Sequence, residues 1–153
     1  MTMQKEIKTQ IQINATPQQV WEVFIDFENC GNWNPFIRSL TGEVGEGKKI
    51  KVVLGPEGSK PMNFQPKVLA FKPDRELRWL GHLFLPGIFD GEHRFELLEN
   101  VDGTTTFVHA EKFNGLIVGL MAKKLDKDIL KGFETMNKAL KRKVESLNET
   151  SLH

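Results

Sequence analysis

Two hydrophobic periods divide this chain into a strand-rich part and a helical C-terminal part. In residues 7–13, IKTQIQI, Ile7, Thr9 and Ile11 fall on one face and Lys and Gln on the other, which predicts a half-buried strand. About six further strands follow between residues 36 and 113, separated by turn signals such as GEGK and Pro-Asp-Arg. From Gly115 the period becomes helical, and the pattern predicts one long amphipathic helix over residues 116–147.

A short helix is predicted between the first strand and the rest of the sheet. Thr16 is its expected N-cap, Pro17 fits the first helical position, and Gln19 completes a capping box. Glycine and an Asn-Pro pair end the pattern soon afterwards. The order of strand, short helices, strands and long helix predicts an α+β fold, in which one antiparallel sheet curls around the C-terminal helix. Such a sheet leaves space between itself and the helix.

Composition narrows the class of protein. The 153 residues are 39% hydrophobic and 27% charged, so we expect residues 1–153 to form a single globular domain. The formal net charge of +1 gives no reason to expect nucleic acid as a partner. No apolar run approaches the roughly 18 residues of a membrane span, and we expect no membrane insertion. One cysteine and the absence of a signal-peptide pattern predict a cytoplasmic protein. The sequence does not predict an oligomeric state.

Residues 93–113 contain the candidate chemistry, because the apolar face of this predicted hairpin includes histidines and a glutamate. The pairing that keeps the apolar side chains together places Phe95 opposite His109 and His93 opposite Glu111. The same pairing puts Gly103 at the left-handed position of a three-residue loop. His93, His109 and Glu111 are therefore expected to lie close together on the inner face of the sheet.

Four interpretations of this cluster are open. His93 and Glu111 are a structural polar pair in the core, or an anchor that orients an apolar guest in a cavity. As a third alternative, His93, Glu111 and His109 are catalytic residues that act as acid and base. Two histidines and a carboxylate are also acceptable zinc ligands, but nothing in their spacing demands a metal. We therefore expect neither a metal nor another cofactor.

Three segments resemble the START-like polyketide cyclase/dehydrase superfamily, namely VWEVFIDFENCGNWNPFIRSLTGEV, LRWLGHLFLPGIFDGEHRFELLE and FVHAEKFNGLIVGLM. The resemblance covers nearly the whole chain, from about Lys5 to Leu147. It implies a helix-grip fold, with a START-like domain of the ligand-binding type and a cavity for an apolar molecule. The superfamily includes lipid carriers, ring cyclases, hydrolases and chaperone co-factors, so the resemblance leaves the activity open.

The first functional hypothesis is a carrier or sensor that binds a small hydrophobic or aromatic molecule, with lipids among the candidates. The second is an enzyme of the cyclase/dehydratase or hydrolase kind, and the third is a protein-interaction module. Residues of the sheet and of the long helix are expected to form the cavity wall. The expected ligand contacts are Trp33, Ile50, Val52, Phe64, Trp79, His93, Phe95, Phe107, His109, Glu111, Phe113, Leu120 and Met136.

Overall fold

The structure is a computed structural model and describes residues 3–83 and 85–151. This part of the chain contains eight strands and a long C-terminal helical region. The strands are β1 (Met3–Ile13), β2 (Ile37–Thr41), β3 (Lys51–Leu54), β4 (Met62–Phe64), β5 (Lys67–Lys72), β6 (Glu76–Leu83), β7 (Phe89–Glu99) and β8 (Thr105–Gly115). The helical elements are α1 (Pro17–Phe24), a 3-10 turn (Cys30–Asn32), α2 (Val118–Lys124), a π-helical turn (Leu125–Ile129) and α3 (Leu130–Ser151).

The strands pair antiparallel in two sections. Five follow the order β1-β8-β7-β6-β5, and three follow the order β2-β3-β4. A bridge between Lys49 and Lys67 joins the sections, and the Ile50 N–H donates to Pro66 O at 3.0 Å. Pro66 has no N–H for a strand ladder, so it separates β4 from β5, which the sequence had predicted as one strand. The α+β helix-grip fold is confirmed, although its curled sheet consists of two sections.

The core lies between the curled sheet and α3, and α1 closes one end of it. The capping box predicted at the start of α1 is present, with Thr16 and Gln19 bonding reciprocally. On the inner side of α1, Val20, Trp21 and Phe24 are buried. Helix α3 packs along β1 and α1, and this packing covers the apolar face of α3 that the sequence pattern predicted.

The C-terminal helix differs from the uninterrupted helix predicted over residues 116–147. It begins at Val118, and the Leu116 and Ile117 N–H groups before it donate to the carbonyl groups of Gly87 and Ile88. The π-helical turn then separates α2 from α3, and such turns occur frequently at functional sites. None of the helices among the described residues is long and apolar enough to cross a membrane.

Candidate functional site

The hairpin of β7 and β8 has the register predicted from the sequence. His93 pairs with Glu111 and Phe95 with His109. The loop is closed by the Gly103 N–H, which donates to Asn100 O at 2.9 Å, and Gly103 has a φ of 85°. Both histidines are buried, and the Glu111 side chain keeps 15% of its surface accessible. The predicted cluster is therefore present on the inner face of the sheet.

A chain of five side chains connects this cluster to β1 and α3, and we call it the buried polar chain. Thr9 Oγ1 lies 2.8 Å from Asn137 Nδ2, and Asn137 Oδ1 lies 3.0 Å from His109 Nδ1. The Nε2 atoms of His109 and His93 are 2.8 Å apart. His93 Nδ1 then lies 3.4 Å from Glu111 Oε1. Three strands and the long helix thus contribute to one polar system inside an apolar core.

The direction of each hydrogen bond in the buried polar chain follows from its first member. Thr9 Oγ1 donates its one proton to the backbone oxygen of His109 at 2.9 Å, since a carbonyl group cannot donate. Thr9 must then accept from the Asn137 amide nitrogen, which turns the amide oxygen of Asn137 toward His109. His109 consequently carries its proton on Nδ1 and accepts at Nε2, and His93 donates from Nε2. The remaining atom, His93 Nδ1, presents a lone pair to Glu111.

Aromatic rings surround both imidazoles and keep them neutral. The His109 ring stacks on Phe133 with centroids 3.9 Å apart, and the His93 ring stacks on Phe95 at 4.5 Å. Burial in this environment lowers the pKa of His109 to about 3, although the bond to Asn137 acts in the opposite direction. Burial and, secondarily, the neighbouring His109 hold the pKa of His93 well below its usual range. Neither ring carries a proton on both nitrogens at neutral pH.

Glu111 lies at the end of the buried polar chain, in a position that favours a neutral carboxylic acid. A carboxylate would face the lone pair of His93 Nδ1, whereas a carboxyl hydroxyl group can donate to it. Burial raises the pKa of Glu111 to about 8. The separation of 3.4 Å from His93 is long for an O–H···N bond, so this contact holds the proton weakly. Gly91 makes room for the carboxyl group, because a Cβ atom there would overlap Glu111 Oε2.

The Glu111 carboxyl group lines a cavity between the sheet and the C-terminal helix. The cavity has a volume of about 170 Å³ and a mainly apolar wall. Met62, 40% exposed, and the exposed Lys124 mark its mouth. The wall consists of Phe36, Leu54, Met62, Phe64, Pro66, Trp79, Gly81, Leu83, Phe89, Gly91, His93, Glu111, Phe113, Met121, Lys124, Leu125 and Ile129.

Five of the contacts expected from the sequence line this cavity: Phe64, Trp79, His93, Glu111 and Phe113. The expectation that Leu120 contacts the ligand is wrong, since Leu120 is 87% exposed. Because the helix begins at Val118, the neighbouring Met121 faces the cavity instead. Trp33 also lies elsewhere, beside an open surface depression that Asn32 and Arg38 share.

The other expected contacts are buried but lie outside the cavity wall, because rings from neighbouring segments fill that part of the curl. Phe24 of α1 stands 4.8 Å from Phe95 and 5.7 Å from Phe107, measured between centroids. Phe36 stands 5.2 Å from Phe133 of α3. The expected contacts that are packed in this way are Ile50, Val52, Phe95, Phe107, His109 and Met136.

Sequence reasoning missed Thr9 and Asn137, although each gave a signal. Thr9 interrupts the isoleucine face of β1, and Asn137 falls four residues after Phe133 on the apolar stripe of α3. A polar residue on an apolar face was the same signal that identified the histidines. Gly81 and Gly91 were missed too, although a glycine inside a strand marks a close approach.

Among the described residues 3–83 and 85–151, no three His, Cys, Asp or Glu side chains form a group suited to a metal ion. The lone pair of His109 Nε2 accepts a hydrogen bond from His93, so it is not available to a metal ion in this arrangement. The expectation that the protein needs no metal or cofactor stays a prediction.

Comparison with known proteins agrees with the fold. The sequence profile of the family described as polyketide cyclase / dehydrase and lipid transport matches residues 4–145. The chain belongs to this family. No curated protein sequence is similar enough to count as a match.

Several solved structures are similar to this chain over almost its whole length. The Zhui aromatase/cyclase from Streptomyces sp. R1128 has a TM-score of 0.74 at 12% identity, covering 94% of both chains. Norcoclaurine synthase from Thalictrum flavum has a TM-score of 0.74 at 13% identity, covering 97% of this chain and 98% of that chain. A START superfamily protein from Mycobacterium smegmatis has a TM-score of 0.70 at 20% identity, covering 93% and 98%. At these identities the likeness concerns the fold.

Proposed function

We propose that the protein binds a small, largely apolar molecule in the cavity between the sheet and the C-terminal helix, as a carrier or sensor. The observation that carries this proposal is the cavity wall itself, which is apolar except for a few groups, with the Glu111 carboxyl group at one point. Ligand sites of this kind combine apolar walls with a small number of polar groups that orient the guest. Support also comes from the family, whose description includes cyclases, dehydrases and lipid transport.

The size of the cavity favours a compact guest over a lipid chain. Its volume of about 170 Å³ is below the roughly 300–1,000 Å³ typical of drug-sized ligands. It is close to the apolar cavity of about 150 Å³ that binds benzene in an engineered protein. A single substituted ring therefore fits the cavity as it stands.

The proposal extends to the cell compartment and to the domain. A cytoplasmic location is supported by Cys30, which is buried and forms no disulfide. Burial raises the pKa of the Cys30 thiol, which keeps it unreactive in a reducing compartment. Residues 1–153 act in this proposal as one ligand-binding domain without a nucleic acid partner.

The test uses toluene as the probe and a variant that fills the cavity. A Cβ atom on Gly81 would meet Pro66 Cβ at 3.6 Å and Phe64 Cδ1 at 4.0 Å, which are ordinary contacts. The Cβ atom of Gly81→Val therefore fits beside Pro66 and Phe64, and the substitution adds a side chain to the cavity wall. We expect toluene to raise the melting temperature of the wild type and to leave that of Gly81→Val unchanged. Equal responses of both proteins, or no response of the wild type, would contradict the proposal.

A second candidate function is acid–base chemistry on the bound molecule, and the protonated state of Glu111 favours it. A carboxylic acid that keeps its proton near neutral pH is suited to the role of a general acid. The test begins with native mass spectrometry of the purified protein, to identify a small molecule that co-purifies. If wild-type protein converts that molecule and Glu111→Gln binds it without converting it, the enzyme hypothesis holds. Unchanged ligand with both proteins leaves the carrier hypothesis.

A further inference from the structure

We infer that the ligand is a neutral molecule with a hydrogen-bond acceptor, such as a carbonyl or ether oxygen on an apolar ring, and that the Glu111 carboxyl group donates its proton to this oxygen. The inference rests on the proposed function, since it assigns chemistry to the guest of the same cavity. It goes further by naming the group on the ligand that the protein recognises.

The hydrogen bonds of the buried polar chain run in one direction. Because Thr9 can only donate to the carbonyl group of His109, every later bond is fixed, and the chain ends with a lone pair on His93 Nδ1. Glu111 completes this arrangement only as a carboxylic acid. The protein therefore builds a hydrogen-bond donor, not an anion, into the wall of the cavity.

The proton of the Glu111 carboxyl group is available to a guest. Glu111 Oε1 lies 3.4 Å from His93 Nδ1, beyond the usual length of an O–H···N bond. The other carboxyl oxygen, Oε2, lies against the backbone of Gly91, where a side chain would overlap it, and Gly91 lines the cavity as well. A guest oxygen in the cavity can thus accept a shorter bond than His93 does.

The wall of the cavity contains other polar groups besides Glu111. Trp79 also lies in the wall, and an indole offers a donor but no acceptor. Lys124 lies at the mouth and is exposed to solvent. An anionic guest would bury its charge beside a neutral acid and against a mainly apolar wall, which is costly. The wall therefore matches a neutral acceptor better than a carboxylate.

The charged and titratable groups around Glu111 do not alter this assignment. His93 on β7 and His109 on β8 are neutral, because burial lowers the pKa of both rings. On β1, Lys5 pairs with Asp126 of the C-terminal helix at 2.7 Å. From that helix, the charged residue in the cavity wall is Lys124. Burial remains the cause that raises the pKa of Glu111.

The experiment compares three probes of equal heavy-atom count: acetophenone, its isostere α-methylstyrene, which lacks the oxygen, and benzoate, which is an anion. Calorimetric titrations give the ratio of acetophenone to α-methylstyrene affinity in wild type, Glu111→Gln and Glu111→Met. At about pH 6 we expect Glu111→Met to lower this ratio by a factor of about 3 to 10, the value of one neutral hydrogen bond. Glu111→Gln, which keeps a neutral donor, should preserve the ratio. Above about pH 9 the ratio should fall in wild type and not in Glu111→Gln.

Distinct results overturn the inference and the proposed function. If Glu111→Met binds both probes with the wild-type ratio, the cavity binds ligands but Glu111 does not recognise the acceptor, and the inference fails alone. If the wild type binds neither acetophenone nor α-methylstyrene, the proposed function fails as well. Tighter binding of benzoate than of acetophenone, abolished by Lys124→Met, would show that the site selects anions. Melting temperatures of the variants establish that each protein is folded during the titrations.

Discussion

Replacing Glu111 with Gln removes the one carboxyl group that the buried polar chain keeps protonated, and this should change how stability depends on pH. Burial raises the pKa of Glu111 in the folded protein to about 8, against 4.5 for the unperturbed group. A group whose pKa is raised on folding stabilises the protein fully below its unfolded pKa, and this stabilisation is lost as pH rises toward the folded pKa. This stabilisation is therefore lost between about pH 4.5 and pH 8.

The magnitude follows from the width of this window. While the folded state holds one more proton than the unfolded state, the free energy of unfolding falls by about 1.4 kcal/mol per pH unit. Over the whole window this gives about 5 kcal/mol, and the 15% accessible surface of the Glu111 side chain reduces it through solvation. We expect about 3 to 5 kcal/mol. The two histidines act in the opposite sense, since burial lowers the pKa of each, but both are present in wild type and variant.

The assay is urea unfolding followed by tryptophan fluorescence, from pH 4.5 to pH 9, for wild type and Glu111→Gln. Subtracting the two free energies of unfolding cancels the histidines and the surface groups. The difference, wild type minus variant, should fall steadily with pH and level off above about pH 8. Glu99→Gln, at an exposed position near the end of β7, is the matched control and should give a flat difference. A difference that rises with pH would mean that Glu111 is an ionised partner of His93, and would refute the neutral chain.

Three further substitutions test other parts of the site. Gly91→Ala should displace the Glu111 carboxyl group and lower stability by about 1 to 3 kcal/mol. Gly45→Ala, with a nearest contact of 3.6 Å, should change the melting temperature little. Equal effects would contradict the close contact between Gly91 and the Glu111 carboxyl group. Asn137→Leu removes the acceptor of His109 Nδ1 and should cost about 1 to 3 kcal/mol. Nitrogen-15 NMR of the wild type should show His109 protonated on Nδ1, and a ring protonated on Nε2 would contradict the assigned direction. Met121→Ala should alter toluene affinity. Leu120→Ala should leave that affinity unchanged and should alter stability by no more than about 0.5 kcal/mol.

The parts of the structure that local rules control were predictable from the sequence. The capping box of α1 depends on residues three positions apart, and the β7–β8 register depends on one loop and two alternating faces. In the hairpin, a shift by one residue would expose the apolar side chains, so the pattern admits one solution. The pairing of His93 with Glu111 followed from the same rule.

The parts that depend on distant segments were not predictable. Thr9 and Asn137 are 128 positions apart, and only the packing of α3 on β1 brings them into contact. The extent of the cavity depends on how distant rings pack, since Phe24 of α1 lies against Phe95 and Phe36 lies against Phe133 of α3. Hydrophobic periodicity identifies the inner face of a strand, but it does not indicate which part of that face another ring will cover.

Carbon-13 NMR of the Glu111 side-chain carboxyl carbon tests the central claim most directly. The resonance is assigned by its disappearance in Glu111→Gln, and its chemical shift is followed from pH 4 to pH 10. A neutral carboxylic acid at the wall of the cavity predicts a titration midpoint near 8, in line with the pKa that burial gives this group. A midpoint at or below the unperturbed value of 4.5 would show that Glu111 is ionised at neutral pH, and would contradict both the buried polar chain and the ligand class inferred from it.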